Sequence, residues 1–540
     1  MSMRREVGLV GLTFVAVGGV LGSGWLFAPL LASQLAGPAA IVAWLIGGIA
    51  MLFLALCFAE TSTMFPVAGG IARIPQFSHG RMLAMVLGWS AWAGYCTTAP
   101  IEVEAALRYA DSYLPWLHDG TTGGLTTHGF IVAAILLMVL TVVNAFGVAW
   151  FTRLNTTLTW FKIAVPILFV LAIVSVRFEP ANFSSTETGG FAPFGVGGIF
   201  AAVASGGVVF AFVGFRHAID MAGEAKNPQL TIPLALSLSV VICFVVYGLM
   251  QIAFVGALPS EELVNGWAKI EAKSTLGPLG ALATALGVLW LVSLLNAAAV
   301  ISPMGGALVS VGSNGRLALA MANNGVFPSI IAALNTRGVP VSALLLNYVV
   351  ALVMLVTMPF EEIIALNGAA IVLSFIAGPV AVMALRHIAP DYPRTFRLPV
   401  APLLAGLGFV IASLMVFWSG WATAWRLLAL LAVGLVLFLG RLAVVGKEEL
   451  DLRGALWFAP YILGVAGLAL VSEYQGGLGL VPEPYPSILT AVFAAVIFVA
   501  AFKSRLSRAA FDRYIDEEEA IERDEYGGAS FVHDPPHPER

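Results

Sequence analysis

The chain has 540 residues, of which 59% are hydrophobic and only 11% are charged, and its mean hydropathy is +0.92. Soluble domains contain about 25% charged residues, so this composition excludes an ordinary soluble protein and indicates many membrane-spanning segments. The formal net charge of −4 is small, and we expect no nucleic-acid partner. All three cysteines fall in apolar segments, so neither a disulfide framework nor a metal cluster is expected.

Hydropathy along the chain predicts an all-α polytopic membrane protein with about fourteen transmembrane helices. A helix of about 20 apolar residues crosses a hydrocarbon core about 30 Å thick, and the apolar segments reach or approach that length. The predicted spans are residues 8–35, 38–64, 82–113, 129–150, 154–177, 196–222, 231–257, 280–314, 340–358, 361–386, 400–420, 423–443, 454–472 and 485–503.

Lysine and arginine are concentrated in every second loop of this arrangement. Positive loops stay in the cytoplasm, so the pattern predicts a multi-pass protein of the cell membrane with both termini cytoplasmic. Residues 1–7 would form a short cytoplasmic amino terminus. Residues 504–540 would form an acidic cytoplasmic tail, with a short helix and then a disordered end, whose role is either regulatory or merely solvating.

The first span contains the stretch GGVLGSGWLFAP, residues 18–29, in which four glycines precede a proline. The sixth span contains a second cluster of small residues at 204–207. A broken helix frees backbone groups that survive in a membrane only where they line a protein cavity. The two broken spans each begin a group of five spans. Because five is odd, the second group enters the membrane from the opposite side, so the two groups are predicted to be inverted repeats with a ligand site at the paired breaks. Alternatively, the glycines only allow neighbouring helices to pack closely.

Five motifs resemble those of the amino acid–polyamine–organocation (APC) transporter family. They are VGGVLGSGWLFAP, CFAETSTMFPVAGG, FAFVGFRHAIDMAGEAKNPQLTIP, GRLALAMANNGVFP and DYPRTFRLP, in the family's order over about residues 8–400. The resemblance implies a LeuT-like fold, a 5+5 inverted repeat in which helices 1 and 6 are broken. Within the family, SGWLFAP, FRH and the fourteen-helix length look most like the bacterial aspartate–proton symporters.

This resemblance implies a division of the chain. Residues 8–178 would form the first repeat (helices 1–5) and residues 196–386 the second (helices 6–10). Residues 400–443 would form helices 11 and 12. Residues 454–503 would add two helices beyond the family's commonest form, and nothing in them decides the oligomeric state.

The resemblance also implies a substrate site at the two breaks. The backbone of Gly22, Ser23 and Gly24 would hold the α-carboxylate of an amino acid. Carbonyls freed by the breaks would hold its amino group, with Val213 as one candidate. Phe210 matches an aromatic residue that closes over the substrate in the family, although a lone phenylalanine in an apolar helix could equally serve packing.

Charged side chains inside a membrane are costly and are therefore candidates for function. Lys162 matches a lysine that proton-coupled members carry where sodium-coupled members bind sodium, so it is a candidate for proton coupling. The alternative is a lysine that extends to the membrane interface. Glu102 has no local partner and is a second proton-coupling candidate, unless it pairs with a distant charge. Glu104 is expected to pair with Arg108, four residues later.

Arg216 departs from the family pattern, because many members carry an acidic residue in this region. A guanidinium beside the cavity would favour a substrate with a side-chain carboxylate, since the two groups pair through two hydrogen bonds. Alternatively, Arg216 forms an ion pair with Asp220, four residues later on the same helix. The sequence leaves both interpretations open.

The sequence thus predicts a secondary transporter that imports an amino acid, aspartate or glutamate, together with protons by alternating access. A transporter of neutral amino acids, an exchanger and a membrane nutrient sensor are the alternatives. Walker A, zinc-protease and nucleophile-elbow motifs are not found, so we expect no ATP dependence, no enzyme activity, no catalytic residues, no cofactor and no bound metal. The expected partners are the amino acid, protons and the lipid bilayer.

Overall fold

The structure is a computed structural model that describes residues 5–111, 113–119, 124–204, 206–270, 277–445, 451–474 and 476–525. Within these ranges the regular secondary structure is helical, and two isolated bridges join Val7 to Ala225 and His118 to Leu125. The expectation of an all-helical protein is confirmed for this part of the chain.

The α-helices, numbered in chain order, are α1 Leu9–Val20, α2 Gly24–Ala36, α3 Ala40–Met64, α4 Gly70–His79, α5 Arg81–Ala110, α6 Thr127–Ala145, α7 Val148–Val176, α8 Gly195–Ala204, α9 Val208–Phe212, α10 Arg216–Asp220, α11 Pro228–Ala257, α12 Gly277–Ala285, α13 Leu289–Asn323, α14 Val341–Thr357, α15 Phe360–Phe375, α16 Ala377–Ile388, α17 Ala401–Trp418, α18 Trp421–Val445, α19 Leu452–Ala455, α20 Phe458–Val471, α21 Tyr485–Lys503 and α22 Arg508–Glu525. Short 3₁₀ helices are Gly37–Ala39, Pro180–Phe183, Thr186–Thr188, Val213–Phe215, Ala222–Glu224, Ser260–Leu263, Trp267–Lys269 and Ser329–Ala332.

Ten helical segments of the described chain are long and apolar enough to cross a membrane, which confirms a multi-pass membrane protein. They are Gly24–Met64, Thr127–Ala145, Thr152–Val176, Pro228–Ala257, Leu289–Asn323, Leu366–Ile388, Ala401–Trp418, Trp421–Gly440, Leu452–Val471 and Tyr485–Lys503. Shorter apolar helices, among them α1 and α8, accompany them. The predicted number of fourteen spans and their repeat symmetry remain predictions.

Both spans with clustered small residues are interrupted. The first divides into α1 and α2 at residues 21–23, and the sixth divides into α8, α9, a 3₁₀ turn and α10. Gly207 adopts φ +85°, a left-handed conformation that favours glycine, which explains why the chain turns out of α8 at this point. Each break therefore brings backbone polar groups into the interior of the bundle.

The broken helices lie at the centre of the bundle. Helix α1 packs against α7, α11 and α13, while α2 packs against α8 and α11. Helix α5 packs against α4, α13 and α15 and forms a continuous wall beside both breaks. The wall and the breaks together enclose the candidate site.

Both ends of the described chain lie at one end of the bundle, which we call the terminal face. Arg5 donates to the carbonyl of Pro66, and the adjacent Phe65 contacts Phe511 of α22. Ion pairs close this face. Glu224 accepts bonds of 2.5 and 3.0 Å from Arg316.

The acidic tail helix α22 is docked on the terminal face. Arg73 of α4 forms an ion pair with Glu518, and both side chains are almost completely buried. Arg81 pairs with Glu517 at 3.0 Å, and Tyr514 donates to Asp451 at 2.5 Å. The predicted helix of the tail is therefore present, whereas the predicted disordered end at 526–540 lies outside the described residues.

Candidate functional site

The amino-terminal end of α2 holds a carboxylate from α5. The backbone N–H of Ser23 donates to Oε2 of Glu102 at 2.8 Å, and the Glu102 side chain is buried. A helix amino terminus stabilises an anion through its unpaired N–H groups and its dipole. A β-carbon at Gly22 would overlap the other carboxylate oxygen, so glycine is required for this close approach.

Lys162 lies on the other side of the same break. Its Nζ donates to the carbonyl of Gly18 at 2.6 Å, and its side chain is fully buried. It does not extend to the membrane interface, which excludes that alternative for this structure. Gly305 of α13 leaves the space for the ammonium, because a β-carbon there would lie 2.6 Å from Nζ. Glu102 acts on Lys162 electrostatically, and these two opposite charges lie at the break where α1 ends and α2 begins.

A tyrosine that the sequence analysis did not single out links the two breaks. The hydroxyl of Tyr247 in α11 donates to the Val20 carbonyl at 2.7 Å and lies 3.4 Å from the Ala211 carbonyl. Its ring stacks on Trp44 at 4.7 Å between centroids. A carbonyl freed by the first break is thus already satisfied by a side chain, as a buried polar group must be.

The second break lies directly against the first. A β-carbon at Gly214 would overlap the backbone of Gly19 and Val20, so glycine allows the two backbones to touch. The carbonyl of Val213, a predicted ligand of the substrate amino group, accepts a hydrogen bond from the backbone N–H of Arg216 within the 3₁₀ turn. The turn therefore already uses the group that the sequence analysis expected to be free.

Arg216 is fully buried between α10 and α5. Its guanidinium donates to Thr98 at 2.9 Å and lies over the ring of Tyr95, with its central carbon 3.9 Å from the centroid. No hydrogen bond joins Arg216 to Asp220 in the described part of the chain, although the two charges act on each other electrostatically, so the expected ion pair is an attraction without direct contact. The direct contacts of Arg216 are with α5, because its side chain turns across to that neighbouring helix.

A cavity of about 410 Å³ begins at the breaks and extends away from the terminal face. Its inner end is lined by Ser23 and Gly24 on one side and by Gly207 and Val209 on the other. Its far end is lined by the last turns of α5 and α17 and the first turns of α15 and α18. The cavity thus gives access to the amino-terminal end of α2.

The structure brings most of the predicted site residues to this region but not onto one surface. Ser23 and Gly24 line the cavity, whereas Glu102, Lys162 and Arg216 lie behind its lining. The side chain of Phe210 lies outside the described residues, although its backbone belongs to α9.

Three polar contacts of the site were missed by the sequence analysis: Tyr95, Thr98 and Tyr247. A helical spacing could have indicated the first two, because residues 95, 98 and 102 share one face of α5. Tyr247 offered only a hydroxyl within an apolar span, and the sequence could not show that two separate breaks would meet it.

The sequence is similar over most of its length to a family of known proteins. The model of the amino acid permease family matches residues 7–439. The chain belongs to the amino acid permease family. The glutamate/serine transporter AimA of Bacillus subtilis (strain 168) is 35% identical over 93% of this chain and 94% of its own length. The aspartate-proton symporter of the same organism is 32% identical over 95% and 98%, respectively.

A more distant permease differs in its named substrate. The branched-chain amino acid permease BcaP of Bacillus subtilis (strain 168) is 26% identical over 81% of this chain and 93% of its own length. These relatives are named as transporters, symporters or permeases, in agreement with an amino acid transporter. Amino acid transport is therefore established at the level of the family.

Proposed function

We propose that this permease imports an acidic amino acid, aspartate or glutamate, together with protons by alternating access. The observation that carries the proposal is the pair of opposite charges at the first helix break, with Glu102 on the Ser23 N–H and Lys162 on the Gly18 carbonyl. Two relatives that match almost the whole chain are named for glutamate or aspartate, and one of them for proton symport, which supports the choice of substrate and of coupling ion.

The substrate α-carboxylate would bind the backbone of Gly22, Ser23 and Gly24. Glu102 now accepts the Ser23 N–H, so it and the substrate carboxylate compete for one donor. A protonated Glu102 is a poorer acceptor and carries no charge for the helix dipole, so proton uptake frees the donor for the substrate. Proton and substrate would thereby enter together.

Lys162 would link the change in protonation to the position of α1. A charged Lys162 holds the Gly18 carbonyl, and a neutral amine would hold it less strongly. Release of α1 from α7 would allow α1 to move during the change of access. Protonation of Glu102 would remove the negative charge that favours the ammonium, so Lys162 would release its own proton toward the cytoplasm and free α1. After substrate release, transfer of the Glu102 proton to the neutral amine would restore both charges, with one proton carried inward in each cycle.

Arg216 would favour an anionic substrate through its electric field. Its charge is buried one turn beyond the second break, where a low dielectric strengthens its effect on a nearby anion. The Val213 carbonyl, which has a second lone pair beside the one that accepts from the Arg216 N–H, and the aromatic ring of Phe210 would complete the site around the amino group and the substrate.

The architecture proposed for this cycle is the LeuT-like 5+5 inverted repeat with about fourteen transmembrane helices. Residues 8–178 and 196–386 are the two repeats, 400–443 helices 11 and 12, and 454–503 the extra pair. Helices 1, 2, 6 and 7 would move against the remaining scaffold. The closed terminal face and the cavity on the other side support an outward-facing state of a cell-membrane protein with both termini, residues 1–7 and 504–540, in the cytoplasm.

A neutral substrate is the second candidate, because one relative is named for serine and another for branched-chain amino acids. The purified protein in liposomes would be offered a panel of labelled amino acids under an inward proton gradient without sodium. Accumulation of aspartate or glutamate that a protonophore abolishes is the expected result. Uptake of neutral amino acids alone would refute the acidic substrate, uptake only against internal amino acid would indicate an exchanger, and binding without flux would indicate a sensor.

A further inference from the structure

Arg108, in the last turn of α5, lies at the far end of the cavity. It follows Ile101 and Ala105 at helical spacing, and the three side chains line the same cavity wall. About a third of the Arg108 side chain is exposed (34%), in contrast to the fully buried Arg216. Arg108 is therefore the arginine that a molecule in the cavity can reach directly.

Among the described residues that line the cavity, Arg108 alone is charged, and its charge is positive. Its Nη2 donates to Oε1 of Glu104 at 3.2 Å, and Glu104 is itself nearly buried at 7% exposure. The guanidinium also lies over Phe360 of α15, 4.1 Å from the ring centroid. The carboxylate behind it and the ring beside it hold the guanidinium in one orientation.

The position of Arg108 suits a short dicarboxylate whose other end is at the helix break. Side chains on a helix tilt toward its amino terminus, and the bond to Glu104 shows that Arg108 does so. Its guanidinium therefore lies back along α5, roughly one helical turn of about 5 Å beyond the level of Glu102. Glu102 accepts a hydrogen bond from the Ser23 N–H, so its level along α5 is also the level of that donor. One small substrate could therefore contact both the Ser23 N–H and the Arg108 guanidinium.

We propose that Arg108 binds the side-chain carboxylate of the substrate and thereby selects acidic over neutral amino acids. Arginine suits this role because its planar fork binds a carboxylate through two hydrogen bonds. The substrate carboxylate shares the guanidinium with Glu104, which keeps it in place before binding. This inference rests on the proposed acidic substrate and assigns to Arg108 the direct contact that Arg216 does not make in this structure.

The test compares aspartate with asparagine, which has the same shape without the charge. Proteoliposomes carrying the original protein, Arg108→Gln or Arg108→Lys would be assayed for aspartate uptake and for its inhibition by asparagine. Arg108→Gln should lower the preference for aspartate over asparagine roughly tenfold or more, through KM rather than kcat, because the amide of glutamine can replace at most one of the two charge-assisted hydrogen bonds. The preference of Arg108→Lys should lie between those of the original protein and of Arg108→Gln, because lysine keeps the positive charge but lacks the planar pair of donors.

Arg426→Gln is the matched control, because Arg426 lies in the first turns of α18 on the same side of the bundle but does not line the cavity. Arg426→Gln should leave the preference for aspartate over asparagine unchanged. This result would distinguish a direct contact between Arg108 and the substrate from a general attraction of anions by positive charge. An unchanged preference in Arg108→Gln, or an equal loss for aspartate and asparagine, would overturn the role of Arg108. If Arg108→Gln does not fold, Arg108→Lys is the test: a lower preference for aspartate supports the role of Arg108, and an unchanged preference overturns it. An original protein that carries no acidic amino acid would instead overturn the proposed function.

Discussion

Replacing Lys162 by methionine tests the proposed coupling most directly. Methionine has a similar length but no charge, so it removes the 2.6 Å bond to the Gly18 carbonyl without leaving a large void. A hydrogen bond to a charged group contributes about 1.5–3 kcal/mol, which corresponds to roughly 10- to 150-fold in the equilibrium position of α1. The change also leaves Glu102 without its opposing charge.

The expected phenotype is a loss of coupling rather than a loss of binding. An unpaired buried charge costs about 3–5 kcal/mol, so Glu102 of Lys162→Met should remain protonated and should no longer cycle. Accumulation driven by a proton gradient should fall at least tenfold, whereas exchange of external for internal substrate, which needs no net proton movement, should persist. Labelled uptake and counterflow in the same proteoliposomes measure the two activities.

The double variant Lys162→Met/Glu102→Gln is the control for stability. It removes both charges, so it should melt at a higher temperature than Lys162→Met alone, since glutamine is uncharged without the proton that a buried Glu102 must take up on folding at neutral pH. Gradient-driven accumulation should remain absent. A Lys162→Met protein that still accumulates substrate in a protonophore-sensitive manner would refute the assignment of Lys162 to coupling.

Three further predictions concern close packing and the tail. Gly214→Ala should abolish transport and lower the melting temperature, because its methyl group overlaps the backbone of the first break, whereas Gly248→Ala, which has open space, should retain uptake. Glu518→Gln breaks the buried pair with α4 and should speed proteolysis of α22 at least tenfold, an effect that the more exposed Glu517→Gln should not reproduce. Arg508, the first residue of α22, donates a hydrogen bond to Asp391 and lowers the pKa of that carboxyl. The pair therefore stabilises the docked α22 at neutral pH and is lost only as the pH falls through the lowered pKa, so Asp391→Asn should remove this part of the acid sensitivity of α22 proteolysis.

Helices occupy most of the predicted spans, because a lipid-embedded chain must satisfy its backbone hydrogen bonds within each segment. The eighth span differs: it was predicted at 280–314, and the structure has α12 (Gly277–Ala285) and α13 (Leu289–Asn323) there. Apolar length alone is not sufficient, since the third predicted span, in α5, is not among the ten segments that are long and apolar enough to cross a membrane. The breaks could also be predicted, because glycine weakens a helix and an apolar segment does not need clustered glycines to cross a membrane. Glu104 and Arg108 were predictable as a pair since they are four residues apart on one helix.

Contacts between distant helices could not be predicted in the same way. Arg216 had a plausible partner four residues later, and the sequence could not show that Thr98 and Tyr95, more than a hundred residues earlier, would face it instead. Likewise, Lys162 appeared close to the membrane interface when its span was read as a straight helix. The break of α1 beside it provides a carbonyl, and this buried acceptor decides where the ammonium lies.

One donor shared by two carboxylates has a thermodynamic consequence for the proposed cycle. If Glu102 must leave the Ser23 N–H before the substrate binds there, protonation of Glu102 raises substrate affinity. Linkage requires that bound substrate raises the proton affinity of Glu102 by the same factor. Coupling then needs no long pathway, because proton and substrate act on the same backbone group. It also explains why the break carries glycine at position 22: a side chain there would separate the carboxylate from the helix end and would remove the competition on which the coupling depends.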